Sequence, residues 1–257
     1  MITIKGKYGI TYFIDCMNKI YGMPSLKAGT VDLCITDPPY DLGFDNTIQQ
    51  DMSKRRSGKE ITRVPVNLYN DKIPNYDDWS RVWFAESRRI CKWTVFTCGT
   101  SPTNMKMWLN IEVPAEIQTH YKPNCASHTH ISRFLTSEPL LVYGKFKPFT
   151  FVSTAVNIPL NNGFLRRDEK TKHGSPKSPK LWDYYIRRIK PKTVIDPFCG
   201  SGITQLICES LGIHYICYEV DEIHYDDIED NVRTGERIKK ATGRIKKLRS
   251  YGSETHG

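Results

Sequence analysis

The chain has 257 residues, of which 39% are hydrophobic and 25% are charged. These proportions are typical of a folded globular protein and exclude a disordered chain. No apolar run approaches the roughly 20 residues of a membrane-spanning helix, and the first residues lack the pattern of a signal peptide. We therefore expect a cytoplasmic location and no membrane partner. The formal net charge of +9 favours a polyanionic partner.

The predicted elements alternate between strands and helices. Apolar and β-branched runs predict strands over residues 12–15, 30–36, 93–97, 140–143, 193–196 and 214–219. Helices are predicted over residues 76–90 and 203–211 and from about residue 223, with Gly212 ending the second helix. Strand, glycine turn, helix, glycine and strand make a βαβ unit. We therefore predict an α/β fold with a mostly parallel, doubly wound sheet and helices on both faces.

Two long segments depart from this alternation of strands and helices. Residues 45–73 are polar and predict a mobile insert. Residues 145–179 have an irregular sequence, and loops of such length are usually functional or disordered. The eight cysteines form no CxxC pair, so we expect reduced, mostly buried thiols. Cys125, His128 and His130 have no second ligand pair at zinc-finger spacing, and the sequence therefore predicts no metal site.

A glycine turn follows the predicted strand at residues 193–196. It reads Asp196-Pro197-Phe198-Cys199-Gly200-Ser201-Gly202 and opens a helix, whose first N–H groups are available to a ligand. Glu219, nineteen residues after Gly200, ends the next strand, where a carboxylate can accept both hydroxyls of a ribose. Neither a third glycine for a dinucleotide fingerprint nor the lysine of a phosphate loop is present. The turn predicts a nucleoside site, with a tight packing turn as the alternative.

A second turn, Asp37-Pro38-Pro39-Tyr40, follows the predicted strand at residues 30–36. The exocyclic amine of a base is a poor nucleophile, because its lone pair is delocalised and the nitrogen must become positive when it attacks a methyl group. A carboxylate oxygen of Asp37 and the Pro38 carbonyl could accept its two N–H groups, and Tyr40 could stack on the ring. The alternative is a rigid surface turn.

Together the two turns resemble the amino-group DNA methyltransferases that use S-adenosylmethionine, the adenine-N6 and cytosine-N4 family. The catalytic motif precedes the cofactor glycines, an order that looks like the circularly permuted β group of this family. The similarity includes the segment from His173 to Pro179, which takes the place of the family's His-Pro-Thr-Gln-Lys-Pro segment. The resemblance implies a Rossmann-like methyltransferase fold with permuted motif order, S-adenosylmethionine as cofactor and double-stranded DNA as partner.

The resemblance also implies roles for single residues. Catalysis would be carried by Asp37, Pro38 and Tyr40, with Pro39 fixing the turn. The implied cofactor-binding residues are Asp15, Ser175, Lys177, Asp196, Phe198, Gly200, Ser201, Gly202 and Glu219. In this set Glu219 would bind the ribose, Asp15 would approach the adenine amine, and Ser175 and Lys177 would neighbour the carboxylate of the cofactor.

Two segments of the chain are strongly basic, and the first of them predicts contacts with DNA phosphates. Residues 161–192 hold ten Lys and Arg against three acids, and residues 231–250 hold eight against one, which favours salt-dependent binding without sequence preference. We predict phosphate contacts from Arg166, Arg167, Lys170 and Lys172, and we interpret the C-terminal segment as a solvated helix face. Sequence readout is expected in a target-recognition segment at about residues 121–172 or in the insert.

These observations predict one catalytic domain over residues 1–257. We predict that it transfers a methyl group to N6 of an adenine flipped out of DNA. The aspartate at position 37 favours adenine, since relatives that methylate cytosine N4 more often begin this motif with serine. The alternatives are cytosine N4, an RNA substrate and a catalytically silent nucleic-acid-binding subunit. A homodimer and a cognate restriction endonuclease stay open.

Overall fold

The computed structural model describes residues 1–41, 49–50, 63–64, 73–123, 132, 135–159 and 177–253, the last range with side chains as far as residue 242. The strands in these ranges are β1 (Thr3–Lys5), β2 (Gly9–Phe13), β3 (Val31–Thr36), β4 (Gln49–Gln50), β5 (Arg63–Val64), β6 (Cys91–Thr97), β7 (Glu116–Tyr121), β8 (Ser137–Tyr143), β9 (Ala155–Asn157), β10 (Thr193–Asp196) and β11 (His214–Glu219). The helices are α1 (Tyr76–Ile90), α2 (Pro102–Ile111), α3 (Pro179–Ile189), α4 (Ile203–Leu211) and α5 (Tyr225–Ser253).

A nine-stranded sheet runs through the described part of the chain, in the order β1-β2-β11-β10-β3-β6-β8-β7-β9. The strands from β2 to β6 in this order are parallel to one another. β1 and β8 run in the opposite direction, and β9 pairs in parallel with β7. The mostly parallel sheet confirms the predicted fold class.

Hydrophobic clusters cover both faces of the sheet, because side chains alternate along each buried strand. On one face, Leu33 and Val95 belong to a cluster that includes α3 and α4. On the other face, Cys34 and Phe96 pack in a cluster with Trp83 of α1 and the helix α2. The seven cysteines within the described residues are buried and free, as expected. No helix of these residues has the length and apolar character needed to cross a membrane.

The sequence predicted the central elements closely and the sheet edge poorly. β10, β11, α1 and α4 have the predicted bounds, and α5 begins at Tyr225 after a short 3-10 turn. β2 begins three residues before its predicted start, and β6 and β8 also begin before theirs. β1, β7, α2 and α3 were not predicted. β9 interrupts the segment expected to be irregular, and the predicted insert lies outside the described residues apart from β4, β5 and Ile73.

The order of the strands defines a crevice at one edge of the sheet. From β10 the chain passes through α4 to β11 on one side, whereas β3 leads to β6 on the other side. β3 and β10 are parallel neighbours, with Leu33 opposite Val194 and Cys34 opposite Ile195. Ligands of open α/β folds bind outside the carboxyl ends of strands at such a switch point. The two predicted turns follow these two strands directly.

Candidate active site

A cavity of about 440 Å³ lies at the carboxyl ends of β2, β3, β10 and β11. Its lining includes nine of the predicted site residues: Asp15, Asp37, Pro39, Lys177, Asp196, Phe198, Gly200, Ser201 and Glu219. Pro38, Tyr40 and Gly202 do not line it. Ser175, Arg166, Arg167, Lys170 and Lys172 lie outside the described residues, as do Cys125, His128 and His130. The tip of the first turn and the glycine loop therefore share one cavity.

The carboxylate of Asp37 is anchored through one of its two oxygens. Oδ1 accepts hydrogen bonds from the hydroxyls of Tyr40 and Thr97, and the ammonium nitrogen of Lys177 lies 3.1 Å from the same atom. Within the described residues, no hydrogen bond is made to Oδ2. This second oxygen remains available as an acceptor for a ligand.

Neighbouring helices hold the backbone of the Asp37–Tyr40 turn. The Tyr76 hydroxyl, at the start of α1, donates to the Pro39 carbonyl at 2.9 Å. Asn104 of α2 donates from Nδ2 to the Tyr40 carbonyl at 2.6 Å. In the part of the chain that the structure describes, the Pro38 carbonyl has no hydrogen-bond donor. The turn therefore presents two acceptors, Asp37 Oδ2 and the Pro38 carbonyl, on a backbone fixed from both sides.

The ring of Tyr40 packs tightly against a glycine. Gly99 has a φ of +70°, and a Cβ at this position would lie 3.1 Å from Cγ of Tyr40. Burial and the carboxylates of Asp37 and Glu138 raise the pKa of the Tyr40 hydroxyl well above its ordinary range. Tyr40 therefore stays a neutral hydrogen-bond donor.

Asp196 joins the end of β10 to its surroundings. Its carboxylate, 2% exposed, accepts hydrogen bonds from the hydroxyls of Thr36 and Thr204 and from the backbone N–H of Phe198 at 3.1 Å. Burial raises the pKa of Asp196 to about 6, although these hydrogen bonds oppose the rise. Its carboxylate thus fixes the start of the glycine loop while it lines the cavity.

Glu219 closes the glycine loop from the neighbouring strand. Its Oε2 accepts from the N–H of Gly200 at 2.8 Å, and its Oε1 accepts from the N–H groups of Val220 and Asp221, each at 2.9 Å. Burial raises the pKa of this carboxyl group, and the backbone donors counteract the rise. Each carboxylate oxygen accepts more than one hydrogen bond, so Glu219 can still receive ligand hydroxyls.

Gly202 packs the glycine loop against α5. It has a φ of +90°, and a Cβ at this position would lie 3.0 Å from the Cα of Ile228 in α5. From the same helix Asn231 donates to the Ser201 carbonyl at 2.8 Å. The Cα of Gly202 therefore faces α5, and the contact with the cofactor that the resemblance implies for Gly202 stays a prediction.

Lys177, for which the resemblance implies a place beside the carboxylate of the cofactor, lines the cavity and contacts two carboxylates of the protein. Its ammonium nitrogen lies 3.1 Å from Oδ1 of Asp37 and 2.6 Å from Oε1 of Glu138. Sequence reasoning missed Glu138, Thr97, Tyr76 and Asn104. Glu138 had one signal, a charged residue directly before an apolar strand. The other three have no local signal, because they meet the turn only through the fold.

Aromatic rings form another wall of the cavity. Phe198 packs against Trp79 and Trp83, with ring centroids 5.3 and 5.2 Å away. Trp79 and Trp182 line the cavity together with Phe198. The site therefore combines an apolar wall with polar groups at the strand ends, as sites for small organic ligands do.

The charge of the lining is mostly negative. The carboxylates on the cavity wall are Asp15, Asp37, Asp196, Glu219 and Asp221, and Lys177 is the one Lys or Arg in the described lining. Such a wall disfavours phosphates and suits a cationic ligand. Among the described residues, no group of three or more His, Cys, Asp or Glu side chains is arranged to hold a metal ion.

The fold and the cavity define an α/β protein with an acidic, partly aromatic cavity at the carboxyl ends of its parallel strands. The model of the DNA methylase family, the N6 and N4 amino-methyltransferases, matches residues 31–230. The chain belongs to this family, which confirms the resemblance seen in the sequence, and the family uses S-adenosylmethionine.

Individual proteins show the same relationship. The chain is 26% identical to the Type II methyltransferase M.HinfI of Haemophilus influenzae, over 85% of this chain and 67% of that protein. Its fold is similar to the M1.HpyAVI–SAM complex, with a TM-score of 0.59, 20% identity and coverage of 86% and 98% of the two chains. It is also similar to the cytosine-N4-specific PvuII DNA methyltransferase, with a TM-score of 0.61, 16% identity and coverage of 91% and 94%.

Proposed function

We propose that this protein transfers a methyl group from S-adenosylmethionine to the N6 amine of adenine in double-stranded DNA. One observation carries the proposal: Asp37, whose Oδ2 accepts no hydrogen bond from the described residues, lines the same cavity as Gly200 and Glu219. A site for a nucleoside cofactor and an acceptor for a base amine thereby lie side by side. The base must leave the duplex to reach this cavity.

The residues of the cavity fit S-adenosylmethionine. The acidic wall suits a cation, and the volume of about 440 Å³ falls within the range of about 300–1,000 Å³ of small-molecule sites. Glu219 would accept the ribose hydroxyls, and Asp15, which already accepts from the N–H of Met17 at 2.8 Å, would receive the adenine amine. When bound, the cofactor supplies an electrophilic methyl group on a sulfonium.

The Asp37–Tyr40 turn would act on the amine that receives the methyl group. Asp37 Oδ2 and the Pro38 carbonyl would accept its two N–H groups, which favours the rehybridised nitrogen and stabilises the positive charge that develops on it. Because Tyr76 and Asn104 hold the turn, the acceptors need no rearrangement as the charge forms. After transfer, Asp37 Oδ2 is placed to take the proton that the amine loses.

Adenine is favoured over cytosine by the aspartate at position 37. Cytosine N4 is the second candidate, favoured by the fold similarity to the cytosine-N4-specific PvuII DNA methyltransferase. Both reactions use the same acceptors, because each places an exocyclic amine of a flipped base against the turn. The methylated nucleoside that forms distinguishes the two reactions.

The experiment is methyl transfer to unmethylated genomic DNA with cofactor carrying a deuterated methyl group, followed by mass spectrometry of the nucleosides. We expect labelled N6-methyldeoxyadenosine. Labelled N4-methyldeoxycytidine alone would replace adenine by cytosine. Absence of any labelled DNA nucleoside from folded protein would overturn the proposal, and a parallel reaction with RNA identifies that alternative.

The proposal extends to the partners. We propose that Arg166, Arg167, Lys170 and Lys172 contact DNA phosphates, and that residues 121–172 of a single catalytic domain read the sequence. The relative M.HinfI is described as a Type II methyltransferase, which supports a cognate restriction endonuclease for this chain as well. A homodimer is the second assembly to be tested. Chromosomal DNA as substrate also implies the cytoplasmic location.

A further inference from the structure

A buried ion cluster lies behind the Asp37–Tyr40 turn. Glu138 of β8 is 5% exposed, and its Oε1 accepts from Lys177 at 2.6 Å and from the Tyr40 hydroxyl at 3.2 Å. Its Oε2 lies 3.7 Å from Nζ of Lys122 and 3.7 Å from Nδ1 of His120. Glu138 thus contacts both of the groups, Tyr40 and Lys177, that reach Asp37 from this side.

Three donors converge on one oxygen of Asp37, and two of them are shared with Glu138. Tyr40 and Lys177 touch both carboxylates, whereas Thr97 bonds to Asp37. The Lys177 ammonium also lies 5.6 Å from the ring centroid of Tyr40. A carboxylate held by three donors at Oδ1 has its rotation fixed, which determines where Oδ2 lies.

The charges of the cluster depend on one another. Burial alone would raise the pKa of Glu138, but the Lys177 ammonium, together with His120 and Lys122, holds it well below its usual range. Burial would lower the pKa of Lys177, but the carboxylates of Asp37 and Glu138 raise it above its usual value. Both groups stay ionised, and removing one partner of such a buried pair leaves an uncompensated charge.

We propose that Glu138 is a positioning residue for methyl transfer: it draws Lys177 and Tyr40 into the arrangement that fixes Asp37 Oδ1 and leaves Oδ2 for the amine of the target base. The inference rests on the proposed function, in which Asp37 accepts that amine. Without the charge of Glu138, Lys177 has Asp37 as its remaining close carboxylate. The ammonium then shifts toward Asp37 and competes with the amine for it.

The expected consequence is a slower chemical step with little change in cofactor binding. Glu219 and Gly200 lie outside the ion cluster, so the nucleoside end of the cavity keeps its contacts. A small displacement of a group that orients the reactants lowers the rate by about 10- to 100-fold. Glu138→Gln removes the charge while keeping the shape, and Glu138→Asp keeps the charge on a shorter side chain.

The test measures the full-length protein on unmethylated genomic DNA. The single-turnover rate at saturating cofactor and DNA, the cofactor Kd by calorimetry and the unfolding midpoint are determined for each variant. Glu209→Gln is the matched control, because Glu209 is also a buried carboxylate and accepts from the N–H of Tyr8 at 3.0 Å, away from the cavity. We expect Glu138→Gln to lose about 10- to 100-fold in rate, Glu138→Asp to recover part of it, and Glu209→Gln to match wild type.

A double-mutant cycle shows whether Glu138 acts through Lys177. We expect Glu138→Gln combined with Lys177→Met to be no slower than Lys177→Met alone, because residues in one network have non-additive effects. The inference is overturned, while the proposed function stands, by any of three outcomes. These are a wild-type rate in Glu138→Gln, additive losses of rate in the double variant, and a loss of rate in Glu209→Gln equal to that in Glu138→Gln. An inactive wild-type protein overturns the proposed function itself. If Glu138→Gln does not fold, Lys177→Met decides, because Glu138 is proposed to act through Lys177, and a wild-type rate in that variant contradicts the inference.

Discussion

The hydroxyl of Thr36 donates a 2.6 Å hydrogen bond to Oδ1 of Asp196, across 160 positions of sequence. Thr36 is the last residue of β3 and Asp196 the last of β10, so this bond joins the two strands where their turns begin. It brings the Asp37–Tyr40 turn and the glycine loop to the same cavity. The proposed reaction depends on this junction, because the methyl group has to pass from one turn to the other.

Replacing Thr36 with valine tests the junction. Thr36→Val keeps the shape but removes one donor of a buried carboxylate, so we expect the free energy of unfolding to fall by about 1–3 kcal/mol. Urea denaturation measures this change. The control is Thr94→Val, since the buried Thr94 hydroxyl has no hydrogen-bond partner among the described residues. Equal losses in the two variants would mean that the hydrogen bond to Asp196 contributes nothing.

The central βαβ unit could be predicted from the sequence because its signals are local. β10 and β11 are short β-branched or apolar runs, and Gly212 ends α4 in the left-handed conformation with a φ of +75°. Strand β7, which lies between β8 and the edge strand β9, alternates polar and apolar residues weakly, and its pairing is set by the rest of the sheet. α3 begins with Pro179, which is favourable at a first helical position, but the prolines before it resemble a loop.

The candidate site was predictable where its residues form contiguous motifs, end a predicted strand as Glu219 does, or are implied by the family resemblance as Asp15 and Lys177 are. Asp37 to Tyr40 and Asp196 to Gly202 are continuous in sequence, and the family resemblance located them. The contact of Glu138 with Lys177 joins residues 39 positions apart, and neither residue has a pattern that names its partner. Such pairs are created by the packing of β8 beside the turn, so the sequence alone does not reveal them.

Asp196 gives cofactor binding a pH dependence of definite sign. Burial raises the pKa of Asp196 to about 6 in the free protein, and a bound cation favours the ionised form. Affinity for the cofactor is therefore full above pH 6 and falls as the pH drops through 6, by up to about tenfold per pH unit. Calorimetry between pH 5 and pH 8 measures this dependence. Asp196→Asn should flatten the profile, and an unchanged slope in a folded variant would assign it to another group.

The same shift affects the stability of the free protein in the opposite direction. Because the folded pKa lies above the ordinary aspartate value of 3.8, the contribution of Asp196 to stability is full below about pH 4. It is lost as the pH rises through 6. Thermal unfolding without cofactor, compared between wild type and Asp196→Asn, checks this direction.

Gly202→Ala separates packing from ligand contact. The substitution places a Cβ 3.0 Å from the Cα of Ile228 at a φ of +90°, so it combines backbone strain with a collision against α5. Strain of this kind costs about 1–3 kcal/mol, and the collision adds to it. The control is Gly29→Ala, where φ is +68° and no atom lies within 4 Å. Chemical denaturation should show a larger loss of unfolding free energy for Gly202→Ala than for Gly29→Ala. Equal losses would mean that the collision with Ile228 contributes nothing.

The basic residues before α3 should determine the salt dependence of DNA binding. Each phosphate contact contributes about 0.9 to the slope of log affinity against log salt concentration. The double variant Arg166→Ala, Arg167→Ala should therefore reduce the slope by about 2 and weaken binding similarly across sequences. Fluorescence anisotropy with DNA duplexes at several salt concentrations measures the slope. Arg81→Ala is the control, because Arg81 pairs with Asp77 at 2.6 Å on an exposed helix face and lies outside both basic segments. An equal effect of Arg81→Ala would mean that Arg166 and Arg167 do not determine the slope.

Asp37→Ala tests the acceptor itself. The substitution removes Oδ2 and leaves the Pro38 carbonyl as the remaining acceptor, so we expect methyl transfer to fall at least 100-fold, about the effect of losing one charge-stabilising group. Cofactor affinity should change little, because Glu219 and the loop at Gly200 are untouched. Single-turnover transfer and calorimetry measure the two quantities separately. Asp41→Ala is the control at the next acidic position, where the exposed carboxylate accepts from the N–H of Ile73 at 3.2 Å. Retained transfer in Asp37→Ala would show that another group accepts the amine.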